Sequence, residues 1–285
     1  MSYSTTAKNN PDCKSSTSVH EAYEKLQEVL KHINSNESWL QYLSFQSKFY
    51  SYSFHNTVLI YSQNPNASYV CGYRKWQTLD RYVKKGEKSL KILAPMMYRS
   101  NEIEDDDDLK RLHGFRLVSV FDLAQTDGSD EHLPILVTGL RSTVEGEESL
   151  YNTILNYIDI PVEEVPELDS KGRYYIANPR IEIRASLSFV QRIKTLIHEF
   201  AHHIHQTRCF ADEGHDICEV IAESTAFIVC NVLGLDTTDY SAGYIESWSK
   251  DKKSLESVAD KIQKISHEII SLISDSEDTP ESPSL

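Results

Sequence analysis

His198, Glu199 and His202 stand as His-Glu-x-x-His within Lys194-Thr195-Leu196-Ile197-His198-Glu199-Phe200-Ala201-His202. Imidazoles four residues apart share one face of a helix, so both can turn toward a single ion. The carboxylate beside the first ligand then reaches a water on that ion, as a general base does in metal-assisted hydrolysis. Short motifs recur by chance, and the same residues can sit in a buried helix as satisfied polar groups. The flanks favour chemistry. Ser188-Phe189-Val190-Gln191 is a capping box that starts a helix, and Val190, Ile193, Ile197, Phe200, Ala201 and Ile204 give that helix a buried stripe. The expectation is zinc on His198 and His202, with Glu199 as the base.

A catalytic zinc takes three protein ligands and keeps one position for water. The longer pattern His-Glu-x-x-His-x-x-Gly-x-x-His is absent, because His205 and Arg208 occupy its Gly and last His places. A second helical pattern runs from Asp216 to Leu233 and is stopped by Gly234. It carries Glu219-Val220-Ile221-Ala222-Glu223, two carboxylates on one face beside apolar Ala226 and Phe227. This stretch resembles the Glu-x-x-Ala-acid signature of gluzincin metallopeptidases. The resemblance implies Glu219 as third zinc ligand and Glu223 behind it, orienting a ligand histidine. The two carboxylates could exchange these roles. A further donor to the reacting carbonyl has candidates in Tyr240, Tyr244, His203, His205 and His215, and spacing does not choose among them.

The elements that must position these groups fit a chain of 285 residues, long enough for a sizeable core and two domains. The fold class expected is α+β. An N-terminal α/β unit over 18–143 precedes a mainly helical unit with a small sheet over 144–274, between polar tails at 1–17 and 275–285. Helices are expected from Val19 to about Ile33, from Trp39, through His55 to Tyr61, from Trp76 to Val83, from Glu148 to Tyr157 and from Lys252 to about Ile273. Strands are expected at Tyr69 to Cys71, Leu90 to Pro95, Arg116 to Leu123 and Pro134 to Gly139. Gly172 to Asn178 and Arg180 to Arg184 form a strand pair leading into the His-Glu-x-x-His helix. Arg180 to Arg184 is the candidate edge strand for an extended peptide. Glu102 to Asp108 is an acidic loop, more simply solvated than a mimic of DNA.

Composition narrows the partners. A formal net charge of −14, from 29 Lys and Arg against 43 Asp and Glu, excludes indiscriminate nucleic-acid binding but leaves room for a local basic face. No run approaches the roughly 20 apolar residues of a membrane helix, and residues 1–18 lack the apolar core of a signal peptide. Five scattered cysteines, Cys13, Cys71, Cys209, Cys218 and Cys230, form no spaced set. Reduced thiols in a cytoplasmic protein are expected.

One stretch departs from this acidic background. Between Cys71 and Ile92 lie seven Lys and Arg against two acids, with Tyr73, Trp76 and Tyr82 interleaved. Cations for phosphates and aromatic faces for bases are what single-strand binding uses, though Trp and Tyr more often serve a core. Candidate DNA contacts are Tyr73, Arg74, Lys75, Trp76, Lys84, Lys85 and Lys88.

The segments His55 to Tyr61, Gln63-Asn64-Pro65, Gly72 to Gln77, Val83 to Lys88, Ile92 to Pro95 and Val120 to Thr126 resemble the N-terminal domain of ArdC-like antirestriction proteins. Lys194 to His202, Glu219 to Glu223, Tyr244-Ile245 and Ser247-Trp248 are similar to the metallopeptidase domain that follows in that family, related to the ImmA/IrrE peptidases. The resemblance spans about residues 40 to 265. It implies a single-stranded-DNA-binding domain joined to a zinc metallopeptidase acting on a protein or peptide, in the service of mobile elements. Two other roles compete with DNA-guided proteolysis: shielding of DNA with a structural or weakly active zinc, and ImmA-like cleavage of a mobile-element repressor. The acidic loop, the polar N-terminal extension and the net charge depart from the family pattern and bear on DNA affinity more than on zinc.

Overall fold

A computed structural model describes residues 11–33, 35–99, 110–133, 146–207, 214–235 and 252–274. The acidic run at 102–108, the strand expected at 134–139, most of the polar stretch at 142–146, the segment 240–248 and the tail 275–285 lie outside the described residues.

Helix α1 (Pro11–His32) begins earlier than expected, so residues 11–17 are helical rather than part of an unstructured tail. Pro11 occupies the first helical position, where its missing N–H breaks no helix bond. Helix α2 (Asn36–Lys48) starts from a capping box in which Ser35 and Ser38 exchange hydrogen bonds, and α3 (Phe54–Gln63) starts from Ser53.

The chain then enters β1 (Val70–Gly72), α4 (Tyr73–Thr78) and β2 (Arg81–Val83). The helix expected over 76–83 is thus displaced toward the N-terminus and ends before Asp80, whose φ of 54° turns the chain into a strand. Arg81 explains the correction. Its guanidinium is buried, donates to Thr126 Oγ1 at 2.9 Å and to the carbonyls of Gly128 and Ser129 at 3.3 and 3.1 Å, and pairs with Asp130. Those partners bind β2 to a distant strand, which local periodicity cannot reveal. Long strands β3 (Leu90–Arg99) and β4 (Lys110–Asp122) form an antiparallel sheet ordered β1-β4-β3, and β5 (Thr126–Gly128) pairs with β2.

After α5 (Glu147–Leu155) a second sheet forms from β6 (Val162–Val165), β7 (Gly172–Tyr175) and β8 (Arg180–Arg184), in the order β6-β8-β7. Here the expectation that Arg180–Arg184 is an edge strand is overturned. β6 pairs parallel along its other side, with Ile181 N–H donating to Pro161 O at 2.9 Å and Ala185 N–H to Val165 O at 3.0 Å. The edge beside the next helix is β7.

Helices α6 (Phe189–Thr207), α7 (His215–Val232) and α8 (Lys252–Ser274) complete the described chain. Helix α7 ends before Gly234, whose φ of 69° lies in the left-handed region that favours glycine. One hydrophobic cluster joins Leu26, Leu30, Trp39, Leu43 and Val58 to Ile193, Ile197, Ile221, Ile228, Val258 and Ile262. Burial therefore runs continuously from the first helices to the last, and Gln263 Nε2 donates to the carbonyls of Phe49 and Tyr50 at 3.1 and 2.8 Å. The apolar face of α8 (Val258, Ile262, Ile265, Ile269, Ile270) is covered by its own chain. Among the described residues no helix is long and apolar enough to cross a membrane.

Candidate metal centre

Ser188 and Gln191 exchange the two hydrogen bonds of a capping box at the start of α6, with Ser188 N–H donating to Gln191 Oε1 at 3.3 Å and Gln191 N–H to Ser188 Oγ at 3.4 Å. The helix buries Ile193, Ile197, Phe200, Ala201 and Ile204, which turns His198 and His202 together toward α7. There Glu219 meets both. The distances are 3.2 Å between His198 Nε2 and His202 Nε2, 3.3 Å from His202 Nε2 to Glu219 Oε1, and 3.4 Å from His198 Nε2 to Glu219 Oε2.

These spacings test whether an ion fits. A tetrahedral ion with bonds of about 2.0–2.1 Å sets its donors about 3.3 Å apart. Two imidazole nitrogens and a carboxylate that meets one through Oε1 and the other through Oε2 suit a divalent metal, and these three residues form a group able to hold one. Three donors leave a tetrahedral ion one position for water or substrate.

Glu223 sits one row behind. Its Oε2 lies 3.2 Å from His198 Nδ1 and its Oε1 lies 2.9 Å from Lys194 Nζ. Burial works against charge on His198, but hydrogen bonds to Glu219 and Glu223 more than reverse this and raise its pKa to about 9. Hydrogen bonds from His198 and His202 hold Glu219 well below the usual carboxylate range. Burial pushes Glu223 up, yet the hydrogen bonds from His198 and Lys194 win and bring it to about 2. Without an ion, the carboxylates keep a proton on His198 that a cation would replace.

Glu199 packs against β7 at Gly172 and is 8% exposed, close enough to the row for His198, His202 and Glu219 to act on its charge. Burial raises its pKa, opposed by the charges of His198 and His202 and by a backbone hydrogen bond from Tyr174. That bond follows from strand phase. Arg184 N–H donates to Lys171 O at 2.9 Å, so Gly172 and Tyr174 turn their backbone groups to the open side of β7. A Cβ on Gly172 would lie 2.4 Å from Thr195 Cγ2 and 2.9 Å from Glu199 Oε1, so only glycine lets the strand approach this closely.

The candidate further donors separate by position. His203 is buried, with Nδ1 3.1 Å from Tyr174 Oη and Nε2 3.6 Å from Asp159 Oδ1. His205 is also buried, and burial lowers its pKa to about 4 with help from Lys261 and His202. His215 is exposed at the rim, 3.7 Å from Glu219 Oε1. Tyr240 and Tyr244 lie outside the described residues. Sequence reasoning missed Gly172, Tyr174 and Lys194. Lys194 alone left a signal, one helical turn before His198.

The basic-aromatic stretch divides in the same way. Tyr73, Arg74 and Lys75 are exposed on α4, and Lys84, Lys85 and Lys88 are exposed between β2 and β3, near Tyr82. Trp76 is fully buried, with Nε1 donating to Phe121 O at 3.0 Å and its ring edge-on to Tyr69. It is a core residue and not a platform for a base, which corrects the expectation.

Residues 16–136 match the family model for the N-terminal domain of anti-restriction factor ArdC. The uncharacterized protein pXO2-81 of Bacillus anthracis is 24% identical over 290 residues, covering 86% of this chain and 49% of that protein. The chain thus spans about half the length of the curated relative it matches. Two crystal structures of antirestriction ArdC from plasmid R388 share the fold. The metal-free one matches at 21% identity and a TM-score of 0.51, over 78% of this chain and 85% of that chain. The Mn(II)-bound one matches at 20% identity and a TM-score of 0.51, over 79% and 86%.

Proposed function

Because this chain is an ArdC-like antirestriction protein, with the ArdC N-terminal domain over residues 16–136, we propose that it is a zinc-dependent peptidase coupled to single-stranded-DNA binding. The observation that carries the reading is the pairing of a three-donor site with a separate buried carboxylate, Glu199, that is not one of the donors. A closed structural site has no use for such a group.

His198, His202 and Glu219 would hold the metal. A divalent ion bound there supplies Lewis-acid activation of water and of a peptide carbonyl. Glu199 accepts the proton at its carboxylate and returns it to the leaving amine, and its burial eases the uptake by raising its pKa. Glu223 fixes the tautomer of His198 through Nδ1. The outer side of β7 offers extended backbone to a peptide strand, with Tyr174 steadying Glu199 at the same edge.

In the N-terminal unit Arg74, Lys75, Lys84, Lys85 and Lys88 track phosphates while exposed Tyr73 and Tyr82 offer ring faces to bases. The division of labour at about residue 143 is functional, since one core serves both parts. Among the described residues Cys71, Cys218 and Cys230 form no disulfide, in keeping with a cytoplasmic setting.

A second reading, shielding of DNA by a protein whose metal is structural, is favoured by the antirestriction name of the R388 relative. One experiment separates them. Zinc-loaded and chelator-treated protein are incubated with a mixed peptide library, and the same samples are titrated into labelled single-stranded DNA. Metal-dependent peptide cleavage together with DNA binding supports the coupled peptidase. DNA binding without cleavage supports the shield, and cleavage without DNA binding supports an ImmA-like repressor protease.

A further inference from the structure

Lys194 lies one turn before His198 on α6, and Glu223 lies one turn beyond Glu219 on α7. The two helices run in opposite directions along their seam, so their polar groups interleave. Lys194 Nζ reaches Glu223 Oε1 at 2.9 Å, Glu223 Oε2 reaches His198 Nδ1 at 3.2 Å, and Glu219 reaches His198 and His202 at 3.4 and 3.3 Å. None of the five side chains is more than 27% exposed, so solvent screens the row weakly.

Within this row Glu223 is in conflict. A half-buried carboxylate one turn from a ligand carboxylate, and already touching a ligand histidine, is drawn toward any divalent cation held by its neighbours. Were it to join them, four protein donors would surround the ion, and the site would close as structural zinc sites do. Two contacts oppose that movement. His198 engages one carboxylate oxygen, and Lys194 places a competing cation on the other. The His198 contact alone would leave the second oxygen free to swing.

We infer that Lys194 is a positioning residue that holds Glu223 away from the metal and so keeps one coordination position open. This rests on the metal-peptidase reading above. It gives Lys194 a part in the chemistry without contact with substrate or ion.

The test loads the full chain with Co(II), whose visible bands shift in position when a carboxylate takes the place of water on a four-coordinate ion, and measures acetohydroxamate binding to the loaded protein. Wild type and K194R are expected to share one spectrum. K194M is expected to show shifted visible bands and about ten-fold weaker acetohydroxamate binding, the order seen when a residue behind a metal ligand is lost. The double variant K194M/E223Q should return to the spectrum and affinity of E223Q, because the competing carboxylate is gone. This comparison also covers a K194M that does not fold, since the double variant buries no unpaired carboxylate.

A K194M with wild-type spectrum and affinity overturns the inference. So does a difference between E223Q and K194M/E223Q, which would mean that Lys194 acts other than through Glu223. Failure of wild type itself to take up Co(II) would overturn the metal reading and this inference together, a separate and recognisable outcome.

Discussion

Gly172 and Glu199 are fitted to each other: a Cβ at position 172 would stand 2.9 Å from Glu199 Oε1 and 3.0 Å from its Cγ. Glu199 is therefore held by a strand that has no side chain where the two meet, while the next residue but one, Tyr174, supplies a backbone hydrogen bond.

Gly172→Ala should accordingly injure catalysis more than metal binding. The added methyl overpacks Thr195 and Glu199, at a cost of about 1–3 kcal/mol in stability. Zinc affinity should stay within about three-fold, because the added Cβ meets Thr195 and Glu199 and not the three ligand residues, while peptide cleavage falls by about ten-fold or more. Thermal melts, zinc titration and a cleavage assay on the same sample check this. Wild-type cleavage by the variant would remove Gly172 from the account.

The metal-free protein should have a pH profile set by the ligand row. His198 has a raised pKa, so its stabilising charge is fully present below the unfolded value of about 6.5 and is lost as pH rises through about 9. Glu219 has a depressed pKa, so its contribution is present above about 4.3 and is lost as pH falls. The melting temperature in chelator should thus fall on both sides of a plateau between those two values. Metal must displace the His198 proton, so apparent zinc affinity should climb with pH until about 9. An affinity independent of pH between 6.5 and 9 would contradict a protonated His198.

Single-stranded DNA should separate the surface cations from the buried ring. Changing Lys84, Lys85 and Lys88 together to Glu should weaken binding by about ten-fold or more at low salt and flatten its salt dependence, each lost phosphate contact taking about 0.7 from the log–log slope. Trp76→Ala should instead destabilise the fold by about 3–5 kcal/mol, since the ring is wholly buried. Fluorescence anisotropy at several salt concentrations and chemical denaturation measure the two effects. Unchanged DNA affinity in the triple lysine variant would place the DNA surface elsewhere.

What could be read in advance depended on how local its cause is. The Ser188–Gln191 box, the stripe on α6 and the stop at Gly234 are set by neighbours within a few residues, and so were visible in the sequence. The face shared by His198 and His202 is of the same kind. Features that need two distant segments were not. β6 is four residues long, with only its two ends apolar, and its pairing with β8 is what turns Arg180–Arg184 from an edge into the middle of the sheet. Arg81 looked like one more surface cation until Thr126, Gly128 and Ser129 closed around it. Trp76 is similar, because residue type alone does not tell a stacking platform from a core ring. The ordering of Glu219 before Glu223 rests on how α6 and α7 meet, which only their packing fixes.

The most direct measurement compares wild type with Glu199→Gln at equal zinc occupancy, following cleavage of a peptide library by mass spectrometry. The account predicts one zinc per chain in both proteins, cleavage products with wild type and none with the variant. Equal cleavage by the two, or no cleavage by fully loaded wild type, would contradict a peptidase in which Glu199 moves the proton.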